Sequence, residues 1–201
     1  MPVWIRGSLY GVMLLACMII GVRAYLEFMP PAEQEPAERP TAAAPEQLPE
    51  FTLNDVWGEP RSISEWSGKP LLINFWATWC APCRREMPLF QALHNEQSIA
   101  GVQVVGIAID RLPDVQSYIA EAGISYPILQ GEIDAMAVSD LFGLDGLGLP
   151  FSVLVASDGK ILTVHIGEIV RQQLTAMVAI SEAVESGELA VKQARQQLAE
   201  L

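Results

Sequence analysis

The sequence contains few of the residues on which several classes of protein depend. It has three cysteines and two histidines in 201 residues, which is too few for a disulfide-stapled scaffold. Basic residues are also scarce, since 12 Lys and Arg oppose 24 Asp and Glu and the formal net charge is −12. A nucleic-acid-binding protein needs a basic surface, and the only adjacent basic pair is Arg84-Arg85. Nucleic acid is therefore not an expected partner.

Long apolar runs are confined mainly to the N-terminus. Sixteen uncharged residues, 7–22, separate Arg6 from Arg23, a length between that of a signal-peptide core and that of a spanning helix. Apolar residues resume after Arg23, which favours an uncleaved membrane anchor over residues 1–28. A signal peptide cleaved near Arg23 and lipid attachment at Cys17 are the alternatives. Charge bias then predicts a single-pass protein of the inner membrane, with its C-terminal domain in the periplasm or on the outer face.

The remaining chain divides by composition. Residues 29–47 are rich in Pro, Ala and Glu and are typical of an extended linker. From 48 to 184, apolar strand patterns alternate with helical ones, followed by a weakly amphipathic helical tail at 185–201. This order predicts an α/β domain, a three-layer α/β/α arrangement on a mixed central sheet. Strands are expected at 71–77, 102–109, 126–129, 151–156 and 160–166, and helices at 80–95, 115–122, 134–144 and 170–178.

Two of the cysteines, Cys80 and Cys83, lie where a buried strand pattern gives way to a helix. At a helix N-terminus, free N–H groups and the positive end of the dipole stabilise a thiolate. Cys80 is therefore predicted to be the attacking thiolate and Cys83 the resolving thiol. Pro82 suits the first turn, where its missing N–H removes no bond.

A Cys-x-x-Cys pair also occurs in structural zinc sites and structural disulfides. Zinc requires two further ligands, and neither His94 nor His165 has a paired spacing. A disulfide that closes so short a loop stabilises a fold little. Redox chemistry is the favoured interpretation, and neither a metal nor a cofactor is expected.

The segment 74–88, NFWATWCAPCRREMP, resembles the active site of membrane-anchored thioredoxin-like reductases. Within that superfamily it is similar to the TlpA/ResA group and, less closely, to the CcmG (DsbE) proteins of cytochrome c maturation. The resemblance covers about residues 48–184 and implies a thioredoxin-like fold.

The resemblance also implies roles for residues outside the cysteine pair. Leu149 and Pro150 match the cis-proline loop that faces the cysteines and offers backbone to a substrate. Together with Leu149, the residues Trp79, Ala81 and Pro82 are expected to contact the substrate. Glu86 matches a carboxylate near the thiols that tunes their pKa or relays a proton.

The sequence departs from the pattern of its relatives at two positions. Asn74 stands where thioredoxin has a buried aspartate, so proton transfer would have to use Glu86 or water. Phe151 follows the cis-proline where relatives usually carry a small polar residue, and it is expected to reshape the substrate groove.

The direction of electron flow is predicted from the residues between the cysteines. Oxidants and isomerases of this superfamily tend to carry a His there, whereas this chain has Ala81-Pro82. A low-potential protein-disulfide reductase is therefore expected. The resemblance implies apocytochrome c or copper-site proteins as clients and a CcdA- or DsbD-type membrane thiol carrier as electron donor. A disulfide oxidase or isomerase and a copper-handling dithiol module are the alternatives.

Overall fold

The computed structural model describes residues 45–96, 101–144 and 148–201, together with Cys17, Met18 and Arg23. The chain divides into two units, residues 1–40 and 41–201, and all the elements below belong to the second. The predicted anchor, 1–28, and the predicted linker, 29–47, lie outside the described residues apart from the three named above and residues 45–47.

The location predicted for the protein needs a correction. A helix needs about 20 mainly apolar residues to cross a bilayer, and within the part of the chain that the structure describes no helix is that long and apolar. This finding contradicts the predicted single-pass location in the inner membrane.

A seven-stranded mixed sheet forms the centre of the domain. The strands are β1 Thr52–Asp55, β2 Pro60–Ser62, β3 Leu71–Trp76, β4 Gln103–Ile109, β5 Ile128–Gly131, β6 Phe151–Val155 and β7 Ile161–Ile166, and their order in the sheet is β2-β1-β5-β4-β3-β6-β7. Strands β3, β4 and β5 are parallel to one another, whereas β6 pairs antiparallel with β3 and β7 pairs antiparallel with β6.

Helices lie over both faces of this sheet and give the three layers that the sequence predicts. They are α1 Ala81–Asn95, α2 Leu112–Ala122, α3 Ile133–Asp140, α4 Arg171–Glu185 and α5 Val191–Leu198, and a single 3₁₀ turn spans Ile63–Trp66. Strand β3 is buried along its whole length, as expected for a central strand with both faces covered. One core cluster includes Met87 and Phe90 of α1, and the other includes Ala135 and Val138 of α3.

The register of the sheet brings two distant loops to the same end. Phe75 of β3 pairs with Phe151 of antiparallel β6. The chain that leaves β3 toward Cys80 and the chain that enters β6 through Pro150 therefore lie side by side. This end of the sheet carries the candidate site.

Candidate active site

Cys80 and Cys83 form a disulfide at the start of α1, with their Cα atoms 5.3 Å apart. Cys80 is the N-cap residue, and the backbone N–H of Cys83 donates to its Sγ at 3.3 Å. Cys80 is 5% exposed and Cys83 is completely buried. Of the two cysteines, only Cys80 retains any surface exposure, and an N–H bonded to its sulfur is a group that can stabilise a thiolate.

The turn before the cysteines is held by a carboxylate from the next strand. Both the backbone N–H of Thr78, at 3.0 Å, and its hydroxyl donate to Oδ2 of Asp110, which directly follows β4. The exposed ring of Trp79 projects from this turn, with 62% of its surface accessible. No local sequence pattern indicates the Asp110 contact, because 32 residues separate the partners.

The cis-proline expected from the resemblance is present. The Leu149–Pro150 bond is cis, Pro150 is buried, and Leu149 is half-buried. The carbonyl of Pro150 accepts from the backbone N–H of Gly167 at 2.8 Å, so the loop after β7 is fixed beside it. Gly167 has a φ of +107°, a region that favours glycine. Ala81 is exposed and Pro82 half-buried, next to the disulfide.

Glu86 lies one turn after Cys83 on α1 and is completely buried. Its Oε1 accepts from Nδ2 of Asn74, and its Oε2 accepts from the backbone N–H of Ile169, each at 2.8 Å. Burial raises the pKa of Glu86 to about 7, although the two hydrogen bonds act to lower it. The group is therefore able to gain and lose a proton near neutral pH. Glu86 is therefore not a solvated carboxylate on the helix surface.

Three site features differ from the sequence-based expectation or were not anticipated. Phe151 does not reshape a substrate groove: it is 2% exposed and stacks on Phe75, with ring centroids 4.2 Å apart. Arg85 does not stand free, because it forms a bidentate ion pair with Glu168 of the loop after β7. Ser152, which accepts from Asn74 at 3.1 Å, was not anticipated, since a lone serine in a strand gives no functional signal.

A disulfide at the N-terminus of a helix, at the same end of a mixed sheet as a cis-proline, defines a thioredoxin-fold thiol–disulfide oxidoreductase. Residues 45–164 match the AhpC/TSA family. The chain is 32% identical over 173 residues to the thiol-disulfide oxidoreductase ResA of Halalkalibacterium halodurans, covering 85% of this chain and 90% of that protein. The protein belongs to the AhpC/TSA family and is a thiol–disulfide oxidoreductase of the TlpA/ResA type.

Solved structures of thiol:disulfide interchange proteins are also similar to this chain. A thioredoxin-family thiol:disulfide interchange protein from Chlorobium tepidum aligns with a TM-score of 0.61 and 30% identity, over 69% of this chain and 97% of that one. A second structure, a putative thiol:disulfide interchange protein DsbE from the same organism, aligns with a TM-score of 0.58 and 25% identity, over 67% and 97%.

Proposed function

We propose that this oxidoreductase acts as a reductant of disulfides in protein clients, and that its clients include the CxxCH segments of apocytochromes c. The observation that carries the proposal is the asymmetric Cys80–Cys83 pair, in which Cys80 is 5% exposed and Cys83 is completely buried. The relatives named ResA and DsbE support a place in cytochrome c maturation.

The reaction transfers two electrons to the client. The Cys80 thiolate attacks a client disulfide, forming a mixed disulfide and releasing one client thiolate, which takes up a proton. The Cys83 thiol then loses its proton, attacks Sγ of Cys80 and releases the second client thiol. The client disulfide is thus reduced and the Cys80–Cys83 bond is formed. A dithiol carrier of CcdA or DsbD type reverses this oxidation.

We assign Glu86 the proton transfer of the second step. It lies one helical turn from Cys83, and its pKa of about 7 lets it accept the proton that Cys83 must lose. Asn74 cannot do this, because an amide does not accept a proton at neutral pH.

The surface around Cys80 fits a protein client rather than a small polar molecule. Large apolar side chains exposed at this end of the sheet include Trp79 (62%), Ile166 (63%) and Val170 (49%). Ile166 pairs with Phe151, directly after Pro150, and Val170 follows Ile169, whose N–H binds Glu86. Exposed apolar side chains grouped in this way are typical of an interaction surface.

The direction of the reaction is tested by the reduction potential of the Cys80–Cys83 couple. Trp79 directly precedes Cys80, and Trp76 ends the strand that leads to it, so tryptophan fluorescence in defined thiol and disulfide buffers should follow reduction of the disulfide. We expect a two-electron midpoint below about −240 mV, close to that of thioredoxin. A midpoint near −120 mV, the value of a strong oxidant, would overturn the reductase proposal.

The client class is tested by trapping. A Cys83→Ser protein should accumulate a mixed disulfide with an oxidised CxxCH peptide, because the resolving thiol is absent, whereas the matched Cys80→Ser protein should not. Equal trapping by both variants would contradict the assignment of Cys80 as the attacking thiol. Failure of a CxxCH peptide to be trapped, when another disulfide peptide is, would exclude apocytochromes c.

A further inference from the structure

Asn74 occupies the centre of a buried polar layer beneath the disulfide. The side chain is completely buried, and its Nδ2 donates both to Oε1 of Glu86, at 2.8 Å, and to Oγ of Ser152, at 3.1 Å. Its Oδ1 is also buried and has no hydrogen-bond partner among the described residues. One end of the amide is thus bonded twice, while the other end is unused.

This arrangement suits the ionised form of Glu86 and not the neutral form. An ionised carboxylate only accepts hydrogen bonds, so the Asn74 amino group is its proper partner. Oε2 is held by the N–H of Ile169, and the proton of a neutral Glu86 therefore belongs on Oε1. Oε1 would then be a donor that faces the donor Nδ2, and a buried donor without an acceptor is destabilising.

A half rotation of the Asn74 amide removes the conflict at Oε1, and it carries Nδ2 to the buried position that Oδ1 now holds without a partner within the described part of the chain. Rotation exchanges Nδ2 and Oδ1, so that Oδ1 accepts from the protonated Oε1 of Glu86. Ser152 allows the change, because a hydroxyl accepts from Nδ2 in one orientation and donates to Oδ1 in the other. The torsion involved joins sp³ and sp² carbons and has a broad, roughly two-fold profile.

We propose that Asn74 is a positioning residue that turns over with the protonation of Glu86, donating to the ionised carboxylate and accepting from the neutral acid. The buried carboxyl is then hydrogen-bonded in both forms. Its usefulness to catalysis rests on the proposed reductase function, in which Glu86 takes a proton from Cys83. The rotation itself does not depend on that function.

The titratable groups around Glu86 keep one protonation state near neutral pH, so Glu86 is the group that titrates there. Glu168, on the loop after β7, raises the pKa of Glu86, and Glu168 is itself held ionised by Arg85, which lowers its pKa. Tyr126, which precedes β5, remains a neutral phenol, because burial raises its pKa. Cys83, on the same helix as Glu86, is in the disulfide of the oxidised protein and does not titrate.

The proposal is tested in the oxidised full-length chain, without a client. The sequence contains only three asparagines, Asn54, Asn74 and Asn95, so ¹⁵N-asparagine labelling gives three side-chain NH₂ groups. The Asn74 group should show a proton contact to Hβ of Ser152 above the pKa of Glu86 and lose it below, with the midpoint at that pKa. Asn54 and Asn95, both exposed, are internal controls. A contact that persists at both pH limits would overturn the proposal.

Two variants test whether the change in the Asn74 orientation is due to Glu86 and not to another group that titrates in the same pH range. In Glu86→Gln, the new amide imitates the neutral acid by donating from Nε2, so Asn74 should hold its low-pH orientation throughout. Asn74→Asp replaces the rotating amide by a carboxylate, which can accept a hydrogen bond from a protonated Glu86 but repels an ionised one. The pKa of Glu86, measured by ¹³C NMR, should therefore rise by at least about one unit. A high-pH orientation in Glu86→Gln, or an unchanged pKa in Asn74→Asp, would contradict the proposal. A protein that passes these tests but reduces no client would refute the proposed function alone.

Discussion

Glu86 illustrates how the surroundings of one side chain determine its chemistry. The sequence places it on the first turns of a helix, next to Arg84 and Arg85, where a solvated carboxylate would be ordinary. The fold instead buries it completely beneath the loop after β7, and burial raises its pKa to about 7. Its partner Ile169 is 83 residues away in the sequence, and no local pattern indicates that contact.

The raised pKa has a consequence for stability. Folded Glu86 binds its proton more tightly than the unfolded chain does, so the free energy of unfolding should fall as the pH rises from about 4.5 to about 7. The contribution of this single group is about 3 kcal/mol. Below this window the contribution to stability is fully present, and above it the contribution is lost.

Glu86→Gln should remove this dependence, because glutamine has no proton to lose. The free energy of unfolding of the oxidised variant and of the oxidised wild type is measured by urea unfolding at several pH values between about 4 and 8. The difference between the two proteins at each pH gives the contribution of Glu86. Glu188→Gln, at an exposed position, is the matched control and should follow the wild type. A Glu86→Gln protein whose stability falls with pH in parallel with the wild type would show that Glu86 does not titrate in this window.

At the scale of the elements, sequence patterns located most strands and helices, and the errors have local causes. The short strand predicted at 126–129 lies at Ile128–Gly131, because Pro127 has no N–H to donate to a neighbouring strand. The helix predicted at 134–144 ends at Asp140, before a turn in which Gly143 has a φ of +77°. The pairing of β1 with β5 could not be predicted, because strand order depends on contacts between distant segments.

Helix α5 shows how the tail contributes to the fold. The sequence indicated only weak amphipathic character there, yet Ala194 and Leu198 are buried. Arg195 donates from Nε to the carbonyl of Ile161, at 2.9 Å, and from Nη2 to that of Glu46. Ile161 begins the edge strand β7, so the helix covers backbone groups that an edge strand would otherwise leave unpaired.

We expect Leu198→Ala to lower the free energy of unfolding by about 3 kcal/mol, because it leaves a cavity where a buried leucine packs. Gln197→Ala, at the exposed neighbouring position, should change the stability little. Both proteins should keep the reduction potential of the wild type, since α5 makes none of the contacts described around the cysteines. Equal stability of the two variants, measured by urea unfolding, would show that the tail does not pack on the domain as described.

At the scale of the whole molecule, the core and the chemistry belong to one unit. Both core clusters, on the two faces of the sheet, are built from residues after Leu48. The disulfide, Glu86 and Pro150 all lie at one end of that sheet. Motif spacing was sufficient to anticipate Cys80, Cys83 and their helix, whereas the contacts of Asn74 with Ser152 and of Thr78 with Asp110 required the assembled sheet.

Because the core clusters and the active-site residues lie in one unit, we predict that a fragment from Thr41 to Leu201, the second of the two units, folds by itself. It should unfold cooperatively in urea and retain the Cys80–Cys83 midpoint of the full chain, because all the contacts described above around the cysteines lie within it. The midpoints of the fragment and of the full chain are measured by tryptophan fluorescence in the same buffers. Cys80→Ser versions of both proteins show which fluorescence changes do not come from the disulfide. A fragment that folds but has a shifted midpoint would show that residues 1–40 act on the active site. A fragment that does not fold would show instead that these residues contribute to the domain core.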